Sequence, residues 1–309
     1  MTGLEALAPS PAPPGADPDA IAAAITAKSQ TSFSTGMRIL PAERRRGMWA
    51  LYAFSRVIDD IADGPDDGED WPLADKHRLL DAWRDEIGAL YAGRPVSAIG
   101  LALAGPVARY ELPQEEFLAL IDGMQMDADG PIIAPPRAEL ARYSRRVAGT
   151  VGLLSMRIFG AWRGAVSERF ALALADAFQL TNILRDIETD AEMGRLYLPL
   201  EPLRVHGLPL EPLAAARHPA LPSVAATLGR EARAHFAEAR GLIRAHARHR
   251  IAPALLMMGV YAAYLARMEA VGFSRDARVR LSSAEKLWSG LACLIAPGRA
   301  AAPAGEAHG

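Results

Sequence analysis

The sequence holds 309 residues, half of them apolar, with 34 Lys and Arg against 36 Asp and Glu and a formal net charge of −2. This composition excludes a disordered chain, and near-neutrality excludes a nucleic-acid groove filled by electrostatics alone. The single cysteine, Cys293, excludes an intramolecular disulfide and a cysteine-based zinc site, which fits a reduced, cytoplasmic compartment.

Residues 1–18 hold five prolines and two glycines and read as a disordered leader. They lack the basic n-region and apolar h-region of a signal peptide. From there the chain reads as helix almost throughout, with Ala, Leu and Arg at helical spacing and Gly or Pro punctuation. The first helix is predicted over 19–38, and Pro41 starts a second over 42–63. Others follow over 75–92, 97–110, 114–127, 137–159, 164–190, 223–248, 252–271 and 282–294. Linkers are predicted at 64–72, 130–136 and 194–222, and the tail from Pro297 reads as disordered. Alternating Val/Ile/Thr runs between tight turns are nearly absent, so strands are not expected. The expected fold is all-α: one helical bundle domain over 19–296. The longest apolar stretch, Ile251 to Ala266, is broken by Pro253 and Gly259 and falls short of the ~20 residues of a membrane-spanning helix.

Two helices carry unusual charge. Asp59 and Asp63 stand at i and i+4 near the end of the second helix, and so do Asp186 and Asp190 near the end of the seventh. This spacing puts each pair on one helix face. Like charges at i, i+4 cost a helix about 0.2–0.5 kcal/mol, and acids at a C-terminus oppose the macrodipole. One such pair alone reads equally as a solvated helix end. Two pairs, with Arg56 beside the first and Gln179 and Asn182 beside the second, read as cation sites. Hard oxygen donors suit Mg²⁺, which keeps open positions that substrate phosphates fill. A magnesium-bridged diphosphate substrate follows.

Several strings then carry a resemblance. They are Ser32-Phe33 before Arg38-Ile-Leu-Pro41, Ala50-Leu-Tyr-Ala-Phe-Ser-Arg56-Val-Ile-Asp-Asp60, Val147-Ala-Gly-Thr-Val-Gly152, Gln179-Leu-Thr-Asn-Ile-Leu-Arg-Asp186 and Gly194-Arg195-Leu-Tyr197-Leu-Pro199. In this order they resemble the squalene/phytoene synthase family of the trans-isoprenyl diphosphate synthases, over about residues 25–295. Leu154 to Gly160, with Arg278-Val-Arg-Leu-Ser282 before Lys286-Leu-Trp288, is similar to bacterial members that form presqualene diphosphate for squalene and hopanoid biosynthesis.

The resemblance implies an isoprenoid synthase bundle with a central cavity and head-to-head joining of two farnesyl diphosphates. Asp59, Asp63, Asn182, Asp186 and Asp190 would hold two or three Mg²⁺ ions. Arg56, Arg185 and Arg195 would contact diphosphate, Gln179 would complete the second motif, and Ser32 and Tyr197 would donate hydroxyls. Tyr143 would steer the cation or the proton; Arg145 stands where many members carry a second aromatic. Phe33, Phe54, Met124 and Leu153 are candidates to line the cavity, and each reads also as ordinary core. NADPH is not expected for the first half-reaction. The alternatives are a phytoene synthase acting on C20 substrates, a full squalene synthase, a hydroxysqualene synthase, a terpene cyclase, and an inactive relative that binds or assembles.

Weaker features complete the reading. His246 and His249 read as a solvated helix face or a metal pair, and Asp127 and Asp129 as a helix end or part of the site mouth. Arg240 to Arg250 reads as a solvated segment or a peripheral membrane contact.

Overall fold

The computed structural model describes residues 3, 5–28, 36–64, 71–274 and 279–297. They form helices α1 Pro18–Lys28, α2 Ala42–Asp63, α3 Leu73–Tyr91, α4 Ala98–Tyr110, α5 Gln114–Ala128, α6 Arg137–Ser144, α7 Thr150–Ile158, α8 Ala165–Glu192, α9 Leu200–Val205, α10 Pro212–Ala216, α11 Leu221–Leu242, α12 Ala252–Ala270 and α13 Ser283–Ile295. Among the described residues only isolated bridges occur, with no strand. Two compact units make up the chain: residues 1–130 with 150–162, and residues 131–149 with 163–309.

In the first unit α2 packs against α1, α4, α5 and α7. Its apolar residues recur at helical spacing, and Met48, Leu51, Phe54, Ile58 and Ile61 are fully buried. The Phe54 ring meets Trp83 and Phe117 edge-on, with centroids 5.8 and 5.4 Å away. It is therefore a core residue, and the packing reading holds. Met124 and Leu153 are likewise buried.

Two polar contacts fix the frame around α2. The buried Lys76 amine donates to the Ala62 carbonyl at 3.1 Å. A cation there satisfies an orphan carbonyl and complements the negative helix end, so it pins the turn that carries Asp63. The buried Glu86 carboxylate accepts from the backbone N–H of Val96 and Ser97 at 3.0 and 2.8 Å. A Cβ on Gly100 would lie 2.1 Å from its Oε1, so this approach requires glycine.

The leader departs from expectation. Glu5–Leu7 forms a 3₁₀ turn. The Trp83 indole N–H donates to the Leu7 carbonyl at 2.8 Å, and the Ala12 N–H donates to Val96 at 2.9 Å. Proline-rich composition predicted disorder, but a Pro-rich segment can lie extended along a surface that offers backbone partners. The predicted tail from 298 onward lies outside the described residues.

In the second unit the 28-residue α8 packs along α11 and against the segment after α6. The helix predicted over 137–159 is interrupted by a π turn at Arg145–Gly149. A Cβ on Gly149 would come within 3.1 Å of Leu172 Cδ2 and Arg145 Cδ, so glycine lets this turn press on α8. Helices α9 and α10 fall inside the predicted 194–222 linker; at six and five residues they are too short to show a helical period. His246 belongs to neither predicted setting. It is buried, its ring shares a 2.8 Å hydrogen bond with Ser167 and a 3.1 Å one with the Leu242 carbonyl, and it packs on Phe170. His249 is exposed.

Candidate diphosphate–metal site

The first aspartate motif occupies the last two turns of α2. Arg56 bridges two carboxylates, Asp59 at 3.1 Å and Asp60 at 2.6 Å. The Asp59 carboxyl is pushed up from 3.8 to about 7. Loss of solvation is the largest cause, the charge of Asp63 comes next, and Asp60 and Asp127 add to it while Arg56 opposes. The side chain still keeps 41% of its surface accessible. It is crowded by protein but reachable, a setting in which a cation relieves the strain. Asp127, on α5, thus belongs to the electrostatic surroundings of this site, the mouth reading of the sequence. Asp129 pairs instead with His77 at 2.6 Å.

The second motif occupies the C-terminal third of α8. Arg185 grips its neighbour Asp186 with a fork, Nε to Oδ1 at 2.8 Å and Nη2 to Oδ2 at 2.6 Å. Its guanidinium lies 5.5 Å from the centre of the Tyr264 ring. Burial alone would lower the Arg185 pKa, but the bonds to Asp186 outweigh it and raise the value. In this structure the fork expected to meet diphosphate is therefore engaged with Asp186.

Asn182 lies one turn before Asp186. Its Oδ1 is buried and has no hydrogen-bond partner. The Asn182 side chain and the Arg185 guanidinium neighbour the Tyr261 hydroxyl. Tyr261 is half-buried and stacks on Phe178 at 4.2 Å. The Asn182 oxygen therefore stays open. An orphaned buried acceptor is costly, and a metal ligand is the simplest reason to keep one.

These donors fit magnesium. Among the described residues no group of three acidic, histidine or cysteine side chains is placed to hold a metal ion by itself. Each motif offers a few oxygens and leaves the remaining positions to water and phosphate, as Mg²⁺ prefers.

The other expected residues gather in the second unit. Tyr143 and Tyr197 are nearly buried and stack at 5.5 Å and 21°. Tyr197 is placed by pairing of the 194–200 string with 132–135: the Leu196 N–H donates to Ile132, and Ala134 donates back to Leu196, both at 2.8 Å. So Tyr143 does have an aromatic partner, supplied by a different string. Arg195 follows α8 directly, its N–H donating to the Asp190 carbonyl at 2.8 Å across Gly194, whose φ of 74° favours glycine. Next to Tyr143, Ser144 donates to Asp176 on α8 at 2.8 Å. Gln179 is half-buried on α8. Ser32 and Phe33 lie outside the described residues.

A cavity of about 340 Å³ opens beside Arg185 and Asp186, walled in part by Glu188, Tyr264, Val279 and Arg280. The sequence reading missed this wall and Tyr261. Tyr261 and Tyr264, three apart in the apolar stretch 251–266, were the available signal, because a tyrosine packed in an apolar setting keeps a polar tip that needs a partner.

Known proteins share this architecture. Squalene synthase HpnC from Alicyclobacillus acidocaldarius superposes with a TM-score of 0.74 at 27% identity, over 83% of this chain and 95% of its own. The fold is that of the isoprenoid synthases. The squalene/phytoene synthase model matches residues 26–285, and the chain belongs to that family. A presqualene diphosphate synthase from Zymomonas mobilis is 41% identical over 268 residues, 86% of this chain and 90% of its own. A phytoene synthase from Thermus thermophilus is 38% identical over 229 residues, 73% of this chain and 75% of its own.

Proposed function

We propose that this chain joins two farnesyl diphosphates head to head into presqualene diphosphate, with Mg²⁺. The observation that carries the metal reading is the unpartnered Asn182 oxygen one turn before Asp186. The identity with the Zymomonas mobilis enzyme supports the choice of substrate and product.

Asp59, Asp63, Asn182, Asp186 and Asp190 would hold two or three ions, with substrate phosphate completing their shells. Bound Mg²⁺ would neutralise the charge gathering on a departing diphosphate. Arg56 and Arg195 provide guanidinium groups that match phosphate oxygens. Arg185 holds the Asp186 carboxylate in place, and Tyr261 lies beside the Asn182 amide. Gln179, one turn before Asn182 on the same helix face, would complete the second motif. Breaking the C1–O bond of one substrate leaves an allylic cation, and the double bond of the second attacks it. Loss of a proton then closes the cyclopropane. The stacked Tyr143 and Tyr197 offer π faces to a cation and exclude water from it. Tyr143 is the group assigned to steer the cation or the departing proton, and Ser32 and Phe33 are assigned to substrate binding.

The metal roles are tested by Asp59→Asn and Asp186→Asn, each expected to lower kcat by at least ~100-fold. Full kcat in either variant overturns the assignment.

A further inference from the structure

Tyr143 and Tyr197 stack although they come from distant strings, so something must brace the two rings together. Tyr143 rides on α6, which starts after Pro136 with no side-chain cap from its own N-cap residue. The first N–H groups of a helix have no partner inside it. The backbone N–H of Arg137, the first residue of α6, donates instead to the Glu201 carboxylate on α9, at 3.1 Å to Oε1 and 3.2 Å to Oε2. Glu201 follows Tyr197 by one helical turn's worth of chain. One carboxylate thus joins the helix that carries the first ring to the string that carries the second.

We propose that Glu201 is a positioning residue for the condensation: it caps α6 from across the chain, holds Tyr143 on Tyr197, and so keeps water from the allylic cation. Three observations carry this. First, the cap continues the pairing of 132–135 with 194–200. Leu196 and Ala134 exchange N–H donors with Ile132 and Leu196 carbonyls at 2.8 Å, the Leu200 N–H donates to Pro135 at 3.0 Å, and the Arg137–Glu201 bond is the next contact along both segments. Second, Ala134 inside this pairing is buried with a φ of 48°. A non-glycine residue keeps a left-handed conformation only where its surroundings enforce it, and such positions gather at functional sites. Third, the Arg137 guanidinium is engaged elsewhere, with Glu231 at 2.7 Å, so the Glu201 contact is with the backbone of α6. The Arg137 N–H holds the Glu201 carboxyl below its usual 4.5, and an anion at a helix start also complements the dipole.

The inference rests on the reading of the stacked tyrosines as the shield of the cation, and it concerns a partition. After the C1–O bond breaks, the cation is captured by the double bond of the second substrate, or by water. Water adds through its oxygen, loses a proton and leaves a C15 alcohol. The two rings exclude water only while they stay together. A Glu201 that served stability alone would alter Tm and the amount of active protein. It would leave the ratio of the two products untouched, because that ratio is set within each turnover.

The test quantifies C15 alcohols and C30 diphosphate in one reaction of the full chain with farnesyl diphosphate and Mg²⁺. Glu201→Ala is expected to raise the ratio of alcohol to C30 product about tenfold, the scale on which a small misplacement near reacting groups acts. Its KM should stay within about twofold of wild type, because ground-state binding is not what it loses. Glu201→Gln keeps an accepting oxygen and should restore the ratio. Arg137→Pro removes the N–H at a helix position that suits proline and should behave as Glu201→Ala does. Arg137→Ala keeps the N–H, loses only the Glu231 pair, and should match wild type. Near-UV circular dichroism of the substrate-free proteins follows the tyrosine stack and is expected to change in Glu201→Ala and Arg137→Pro alone. An unchanged ratio or an unchanged tyrosine signal in either of these variants overturns the proposal, as does a raised ratio in Arg137→Ala. If Glu201→Ala does not fold, the two Arg137 variants decide. A wild type that consumes no farnesyl diphosphate fails the substrate reading instead, and the dichroism then decides the brace by itself.

Discussion

Asp59→Asn should make the metal-free protein more stable while it lowers kcat by at least ~100-fold. The Asp59 carboxyl is raised from 3.8 to about 7. A gap of about three pKa units corresponds to ~4 kcal/mol of disfavour for the ionised form. Because the side chain is 41% accessible, solvent screening reduces this to about 1–2 kcal/mol. The sign follows from proton linkage: the folded state holds the proton more tightly than the unfolded chain, so wild-type stability is whole below pH 3.8 and declines until about pH 7. Asparagine does not titrate. The variant's advantage should therefore be nil near pH 4, grow to neutrality and stay constant above it, with Tm raised by about 1.5–3 °C at pH 8. Thermal unfolding in EDTA at pH 4.5, 6 and 8 measures this. Adding Mg²⁺ and inorganic diphosphate should then favour the wild type, because only it binds the metal fully. A variant less stable than wild type at pH 8 in EDTA, or a gap that does not change with pH, would refute the reasoning.

Further outcomes follow from other contacts. Asn182→Ala should raise the Mg²⁺ concentration needed for half-maximal activity about 10- to 100-fold, with Tm within a few degrees of wild type; an unchanged metal requirement contradicts the role given to its open oxygen. Burial lowers the pKa of His246 below its usual 6.5, so the stability it contributes is whole above that pH and lost as pH falls. Urea midpoints at pH 7.5 and 5.5 should therefore fall further for wild type than for His246→Gln, and equal falls count against it. Gly259→Ala should cost about 1–3 kcal/mol, because its Cβ would meet the Ser289 carbonyl at 2.1 Å; an unchanged Tm would show that α13 is free to shift.

Long helices with regular apolar spacing were legible in the sequence, and α2 begins and ends at the predicted residues 42 and 63. Both aspartate motifs were legible because their placement works against helix stability, leaving a pattern that folding alone does not explain. What was hidden depends on tertiary partners. The π turn after Ser144 arises where Gly149 meets Leu172 on α8, a contact that no local pattern encodes. The docking of Leu7 on Trp83 is similarly invisible to composition. The Arg185–Asp186 fork joins adjacent residues, a geometry outside the helical spacings of three and four. Tyr197 as the partner of Tyr143 joins two strings more than fifty residues apart, and only the pairing of 132–135 with 194–200 brings them together.

The central claim is head-to-head condensation of C15 diphosphates without a reductant. Purified protein incubated with farnesyl diphosphate and Mg²⁺, without NADPH, and followed by mass spectrometry of the products, tests it most directly. The account predicts release of inorganic diphosphate and a C30 diphosphate that carries a cyclopropane ring. No turnover of farnesyl diphosphate, with phytoene formed from geranylgeranyl diphosphate, would contradict it.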